Sequence, residues 1–194
     1  KREFFAGIPE IVKIGFIYNK KILNLVENNF NKIIKRDFTF LVKIISLTLK
    51  AKIKFFRNDI YEKSTRLKLN FGHTFAHSIE MSIKSKDDEV LRHGEAVGLG
   101  MLCELYYHDG FSKKYQHLKK VLKKFNLPIQ LNKFVKKEKK DFIKNQIYKF
   151  LFLDKKKITI YPRFIQINSY GNAVIKEMKN NAKILKTIDE VLFK

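Results

Sequence analysis

With 194 residues, 45% of them apolar, the chain is long enough to bury the core of one globular domain, and polar residues interrupt every apolar run before the roughly 20 residues that a membrane span requires. The single cysteine, Cys103, excludes an internal disulfide framework and favours a reducing, cytoplasmic setting. The net charge of +22 raises nucleic acid as a partner, but the lysines are spread over the whole chain without a nucleic-acid-binding motif, so this class stays a remote alternative.

The first half of the chain has the periodicity of helices. Apolar residues at spacings of three and four predict helices over residues 9–30, 38–56 and 73–83. Pro9 suits the first turn of the first helix, which would place Glu10 and Lys13 on one face. The second run is too long for one strand and predicts a buried helix. The turn Asn70-Phe71-Gly72 precedes the third.

The second half predicts more helices and one stretch of alternating residues. The helices cover residues 93–108, 112–125, 138–152 and 180–194. Residues 158–175 alternate as strands do, and Pro162 and Gly171 favour short edge strands or a hairpin. Cys103 lies in an apolar setting that is typical of a buried core thiol. The chain is therefore predicted to be mainly α with a small β element.

The histidines offer the first chemical pattern. His73 and His77 are four residues apart and share one face if the segment is helical, and His93 follows in the same region. A catalytic zinc normally has three protein ligands and one open position, so His73, His93 and a distant carboxylate could supply a His-His-Glu set. The histidines could equally cap or pack their helices. Thr74 stands where zinc peptidases of the helical motif have Glu, which excludes that class.

Basic residues form a second pattern. Arg66, Lys68 and Asn70 precede the histidines, and Asp154 is followed by Lys155, Lys156 and Lys157. Together they could bind a phosphorylated or carboxylated substrate, although solvated lysines are common in so basic a chain. No Gly-rich loop connects a strand to a helix, so neither a P-loop nor a dinucleotide fold is predicted within these residues.

Taken together, the stretches RLKLNFGHTFAHSIE and LRHGEAVGLGM resemble the signature of the 3-dehydroquinate synthase family. Its pattern runs Arg, three residues, Asn-x-Gly-His-Thr-x-Gly-His-x-Ile-Glu, and later Leu-x-His-Gly-Glu-Ala-Val. Similar blocks follow the family's order in REFFAGIPEIVKIGFI, in LKAKI with Asp59 and Glu62, and in FLDKKK. Two more residues separate Lys50 from Asp59 than in the family, Ala76 replaces a Gly, and Tyr170 stands where the family prefers Ile.

The resemblance implies a fold and a set of site residues. The fold is a single helical metal- and substrate-binding domain over residues 1–194 with a small β-hairpin element, of the family's C-terminal type. The metal ligands would be Glu10, His73 and His93, which suit Zn²⁺ with Co²⁺ as a substitute. The catalytic residues would be His77, which handles a proton, and Glu62, Lys50 and Lys13. The substrate-binding residues would be Arg66, Asn70, Lys155 and Lys156.

The resemblance also implies a reaction. The family converts 3-deoxy-arabino-heptulosonate 7-phosphate into 3-dehydroquinate and phosphate in the shikimate pathway, as a carbon–oxygen lyase that recycles NAD⁺. The family's N-terminal NAD-binding domain is absent from these residues, and we expect it from a longer chain or a separate one. A homodimer and a small phosphorylated sugar-acid substrate are expected. Another sugar phosphate cyclase or a metal-dependent polyol dehydrogenase is the alternative.

Overall fold

The computed structural model describes residues 1–83, 90–153 and 161–194. Helices dominate these ranges and one antiparallel hairpin accompanies them, which confirms the predicted fold class. In chain order the helices are α1 (Arg2–Ala6), α2 (Ile8–Ile17), α3 (Lys20–Asn28), α4 (Phe30–Ile34), α5 (Phe38–Asn58), α6 (His73–Ile83), α7 (His93–Asp109), α8 (Lys113–Lys124), α9 (Lys140–Phe152) and α10 (Asn181–Thr187). The strands are β1 (Arg163–Ser169) and β2 (Asn172–Glu177), and short helical turns cover Thr65–Asn70, Lys137–Lys139 and Ile188–Phe193. Across the described ranges, no helix has both the length and the apolarity of a membrane span.

Helix α7 is the centre of the fold because it is buried on all sides from Gly94 to Tyr107. It packs against α2, α6, α8 and β1, so its small and apolar residues are surrounded by other elements. Cys103 has no exposed surface in this helix, which confirms the predicted core thiol. Burial raises the pKa of the Cys103 thiol well above its usual value, so the group stays protonated and unreactive.

Two glycines bring α7 into direct contact with the turn before α6. Gly72 has a φ of +82°, a left-handed conformation that favours glycine. A Cβ atom on Gly100 would lie 1.9 Å from the carbonyl oxygen of Gly72. Because neither position accepts a larger residue without movement, α6 can begin at His73 directly against α7.

The carboxyl group of Glu104 connects α7 to two other segments in the interior. The Gly72 N–H donates to one carboxyl oxygen at 2.9 Å, and the Ile165 N–H donates to the other at 2.7 Å. Glu104 has no exposed surface, and its burial raises the pKa of the carboxyl group well above the usual value, against the opposing effect of these two donors. The Thr74 hydroxyl also donates to the Arg163 carbonyl at 3.0 Å. The turn before α6 is therefore fixed to both α7 and β1.

The predicted single helix over residues 9–30 is wrong. Helix α2 ends at Ile17, and Asn19 adopts an extended conformation in which its side chain accepts a hydrogen bond from the Lys21 N–H at 2.9 Å. An asparagine cap of this kind starts a new helix, so the chain turns and α3 packs against α2. Helices α5, α7, α8 and α9 lie where they were predicted, within two residues at each end.

Helix α5 is helical as predicted but is buried on one face only. Its inner face packs through buried residues that recur at helical spacing, namely Phe40, Ile44, Thr48, Ala51 and Phe55. The opposite face carries large apolar side chains that are exposed. The prediction of a buried helix was therefore half correct, because an apolar run alone does not show which neighbour covers each face.

The hairpin is anchored to the helices at its turn. The Gly171 N–H donates to the Phe16 carbonyl at 2.8 Å. The Tyr170 hydroxyl lies 2.5 Å from Nδ1 of His117, whose Nε2 lies 2.9 Å from a Glu27 carboxylate oxygen. Tyr170, the residue that departs from the family pattern, thus ties the hairpin to α8 and α3. The predicted strands are confirmed from residue 163 onward, and residues 158–160 lie outside the described ranges.

We predict that Gly100→Ala destabilises the protein by about 1–3 kcal/mol, because its methyl group would overlap the Gly72 carbonyl oxygen. Urea unfolding followed by circular dichroism measures the change. Gly7→Ala is the matched control, since its Cβ would lie 3.4 Å from the nearest atom, the Phe4 carbonyl oxygen. Equal unfolding midpoints for the two variants would contradict this description of the helix contact.

A second prediction concerns His108 at the end of α7. Burial and nearby lysines lower the pKa of His108 from 6.5 to about 4, and its buried Nε2 has no hydrogen-bond partner among the described residues. The unfolded chain binds this proton more readily, so the free energy of unfolding should fall as the pH drops from about 6.5 to about 4. His108→Gln should show a smaller fall in urea titrations across that window. Identical slopes for the two proteins would refute the assignment.

Candidate metal centre and substrate site

Helix α2 presents Glu10 and Lys13 one turn apart, as predicted from their spacing. The Lys13 ammonium donates to Oε1 of Glu10 at 3.0 Å, although Lys13 is only 2% exposed. Lys52 of α5 donates to the other carboxylate oxygen at 2.7 Å. Glu10 is therefore held between two cations on two different helices.

His73 stands at the start of α6, where the glycine turn directs it toward Glu10. Its Nε2 lies 3.4 Å from Oε1 of Glu10. Its Nδ1 lies 3.3 Å from the Phe71 carbonyl oxygen, which can only accept a hydrogen bond. Nδ1 is thus the protonated nitrogen, and the lone pair of Nε2 is available to a metal.

His93 begins α7 and completes a three-residue cluster. Its ring centroid lies 5.3 Å from that of His73. One ligand atom from each of Glu10, His73 and His93 lies within 4.8 Å of the other two. Three protein ligands of mixed nitrogen and oxygen type, with His93 partly exposed on one side, match the donor set of a catalytic zinc site.

The charges of the cluster suit a cation. Burial would raise the pKa of Glu10, but Lys13 and Lys52 outweigh it and lower this pKa to about 2. Burial and the Lys13 charge lower the pKa of His73 to about 3, and burial lowers the pKa of Lys13 to about 8. Near neutral pH the carboxylate is therefore ionised and His73 is neutral, which are the forms that bind metal.

Lys13 already places a positive charge beside two of the candidate ligands. Its Nζ is 3.0 Å from Oε1 of Glu10 and 3.5 Å from Nε2 of His73. A divalent cation bonded to both atoms would compete with this ammonium group, whose lowered pKa reduces the cost of neutralising or moving it. The residues present thus fit a borderline cation such as Zn²⁺ or Co²⁺.

Glu80 holds the outer side of His93. Its carboxylate oxygen lies 2.9 Å from Nδ1 of His93, and this hydrogen bond raises the pKa of His93. His77, Glu80 and His93 also place ligand atoms within 4.8 Å of one another. A carboxylate on the outer nitrogen of a ligating histidine commonly fixes its tautomer and ring orientation. The geometry therefore suits two roles for Glu80: it could orient His93, or it could bind a second ion together with His77 and His93.

His77 lies beside the cluster but faces solvent. Its ring centroid is 5.8 Å from that of His73 and 6.1 Å from that of His93. The structure thus brings His77 beside the site without including it in the group formed by Glu10, His73 and His93. This position suits proton exchange between the site and water.

The predicted substrate residues before His73 form their own network. The Asn70 amide donates to one carboxylate oxygen of Glu62 at 2.9 Å, and the Arg66 guanidinium lies 3.6 Å from the other carboxylate oxygen of Glu62. Glu62 has a φ of +54°, a left-handed conformation that costs a non-glycine residue of the order of 1 kcal/mol. Asp59 holds this loop by accepting from the N–H groups of Lys63, Ser64 and Arg66.

The structure does not place Lys50 at the cluster. Two residues correspond to about 200° on a helix, so Lys50 projects to an exposed side of α5 while Lys52 reaches Glu10. The two additional residues between Lys50 and Asp59 were the sequence signal that could have identified Lys52. The predicted substrate residues Lys155 and Lys156, with Asp154, lie outside the described ranges.

Comparison with protein families and curated proteins gives one consistent result. The family model described as "3-dehydroquinate synthase C-terminal" matches residues 7–157. Proteins named 3-dehydroquinate synthase from Chlorobaculum tepidum and Campylobacter concisus are 30% and 32% identical over 98% of this chain. The chain spans about half the length of these relatives, namely 52% in both cases.

Solved structures of sugar phosphate cyclases share the fold. A 2-epi-5-epi-valiolone synthase from Streptomyces hygroscopicus, with NAD⁺ and Zn²⁺ bound, has a TM-score of 0.75 at 18% identity, over 96% of this chain and 50% of that one. A 2-deoxy-scyllo-inosose synthase complexed with carbaglucose-6-phosphate, NAD⁺ and Co²⁺ has a TM-score of 0.71 at 19% identity, over 98% of this chain and 53% of that one.

We predict that Glu80→Gln weakens Zn²⁺ binding by about 10–100-fold, because the amide orients His93 less strongly than the carboxylate. Competition against a chromophoric chelator measures the affinity, and the absorption spectrum of the Co²⁺-loaded protein reports the ligand geometry. Glu138→Gln, which changes an exposed carboxylate in the same way, should bind as the wild type does. Two bound ions in the wild type and one in Glu80→Gln would instead mean that Glu80 is itself a ligand.

Proposed function

The chain belongs to the 3-dehydroquinate synthase family, whose C-terminal model it matches, and from this premise we propose that it is the metal- and substrate-binding part of a 3-dehydroquinate synthase. We also propose that residues 1–194 form a single domain. The observation that carries it is the convergence of Glu10, His73 and His93, which come from three separate segments of the chain. Two imidazoles and a carboxylate whose ligand atoms lie within 4.8 Å of one another supply the number and types of protein donors that a catalytic zinc site uses.

Glu10, His73 and His93 would hold the metal, which when bound supplies Lewis-acid polarisation of substrate oxygens. Lys13 and Lys52 keep Glu10 ionised and make the site attractive to an anionic substrate. His77 accepts a proton at its imidazole and exchanges it with water, since its side chain is exposed beside His73. Arg66 and Asn70 orient the substrate's anionic and hydroxyl groups, with Glu62 positioning both. Lys155 and Lys156 are proposed to contact the phosphate group.

The reaction proposed is conversion of 3-deoxy-arabino-heptulosonate 7-phosphate to 3-dehydroquinate and phosphate, in the shikimate pathway. It requires NAD⁺, which accepts and returns a hydride. Because the chain spans about half of its relatives, we propose that an NAD-binding half completes the site and that the complete enzyme is a homodimer. The NAD⁺ and metal in the structural neighbours support this cofactor set.

Another sugar phosphate cyclase activity is the second candidate, because structures of such enzymes share the fold at TM-scores of 0.75 and 0.71. The sequence favours the first candidate, since relatives named 3-dehydroquinate synthase are 30–32% identical whereas these structures are 18–19% identical. Identification of the product by mass spectrometry distinguishes the two.

We predict that the chain binds one equivalent of Zn²⁺ and that His73→Ala and His93→Ala reduce this binding by at least about 100-fold, as expected for loss of a ligand. Metal analysis after gel filtration measures the stoichiometry. Combined with the N-terminal half of the Chlorobaculum tepidum relative and NAD⁺, the wild type should release phosphate from the heptulosonate phosphate, and both variants should not. Failure to bind metal would reject the metal site, whereas metal binding without phosphate release would reject the proposed reaction.

A further inference from the structure

Helix α5 has a second apolar face that the described residues leave exposed. Six large side chains, which we call the outer stripe, are between 43% and 80% exposed. They are Phe38, Val42, Ile45, Leu49, Ile53 and Phe56. Their spacings of four, three, four, four and three place them within about 80° of the helix circumference, along about 27 Å of its length.

The size and continuity of the outer stripe distinguish it from scattered surface hydrophobics. Ile34, which ends the preceding helix, is also exposed, and Ile60 and Tyr61, which are 70% and 82% exposed, follow the C-terminal end of the stripe in the sequence. Contiguous apolar surfaces of this kind mark interaction sites in soluble proteins. A helix with two apolar faces is expected to pack against a neighbour on each side. The part of the chain that the structure describes covers only the inner face.

Charges beside the outer stripe indicate the chemistry of its partner. Lys43, Lys50, Lys54 and Arg57 are exposed and project from one flank, about 80–140° around the helix from the centre of the outer stripe. A second copy docked antiparallel on this face would set the same cationic flank against its own, in a chain whose net charge is already +22. The favoured occupant therefore presents an apolar centre bordered by carboxylates.

The outer stripe is continuous with the candidate active site. Lys52 projects between the inner face of α5 and the outer stripe, and it donates to Glu10 at 2.7 Å. Phe56 is the last residue of the outer stripe. The guanidinium carbon of Arg66 lies over the Phe56 ring, 4.0 Å from the ring centroid. A body seated on the outer stripe would therefore stand at the edge of the metal and substrate residues.

We propose that the outer stripe of α5 is the docking surface for the NAD-binding half of the enzyme, and that this half meets it with an apolar, acid-bordered surface. This inference rests on the proposed function, which requires a second body that carries the nicotinamide cofactor to the metal site. The relatives are about twice as long as this chain, so the part outside the match is long enough for a second body of similar size. If this half docked along α5, the helix that supplies Lys52 would also set the position of the cofactor relative to Glu10.

The test uses the N-terminal halves of the Chlorobaculum tepidum and Campylobacter concisus relatives as probes, each added to the full chain in a calorimeter. The wild type is expected to bind at least one probe, and Leu49→Glu to bind it at least about tenfold more weakly, because the substitution buries a charge at the centre of the interface. Leu185→Glu is the matched control, since Leu185 is 44% exposed on a different helix against 52% for Leu49. This control should bind as the wild type does.

Zn²⁺ binding is measured for every variant, because it shows whether a loss of docking comes from misfolding or from damage to the metal site. Retained Zn²⁺ binding with lost docking in Leu49→Glu supports the proposal, while equal binding of Leu49→Glu and wild type overturns it. Binding of neither probe by a metal-loaded wild type also overturns it and leaves the metal site intact. A dimer of the chain alone that Leu49→Glu dissociates, measured by analytical ultracentrifugation, would show that a second copy is the occupant instead.

The charged flank is tested by Lys43→Glu combined with Lys54→Glu. These reversals should weaken probe binding and flatten its dependence on salt, since they remove attraction to an acidic border. Unchanged affinity and salt dependence would exclude the acid-bordered partner.

Discussion

The carboxyl group of Glu104 is the interaction on which the rest of the structure depends. It accepts hydrogen bonds from the N–H groups of Gly72 and Ile165, and Glu104 itself has no exposed surface. Loss of either bond would leave a buried donor unsatisfied, at a cost of about 1–3 kcal/mol. His73 follows Gly72 directly, and His93 begins the helix that contains Glu104. One buried group thus fixes the relative positions of two candidate ligands that lie on different helices.

A second constraint is electrostatic, since the site gathers cations before any metal is bound. Lys13 and Lys52 both contact Glu10, and the Lys13 side chain is buried without a second carboxylate at hydrogen-bond distance in the described residues. Buried charges are costly unless paired, and here three cationic or metal-binding groups share one carboxylate. The arrangement is poor for stability but suits the proposed function, in which the site binds a divalent cation and an anionic substrate together.

The fold class and most helices could be predicted because their periodicity is local, whereas residues that act across the fold could not. The spacing of His73 and His77 made them look equivalent, and the structure separates them by direction, since one faces Glu10 and the other faces solvent. The family pattern pointed to Lys50 and left Lys52 unmentioned, because a motif match does not measure the angle around a helix. Glu104 gave no signal at all, since a single carboxylate in an apolar helix has no partner in the sequence pattern.

The hydrogen bond from the Gly72 N–H to Glu104 has a consequence for the motions expected at the site. A backbone amide held by a buried carboxylate against a fully packed helix exchanges its hydrogen with solvent only when that helix separates from its neighbours. We therefore expect His73 to lie next to the part of the fold that opens last, whereas His93 and Glu80 lie on a more exposed edge. Amide exchange should accordingly distinguish a permanent side of the site from one that can admit and release an ion.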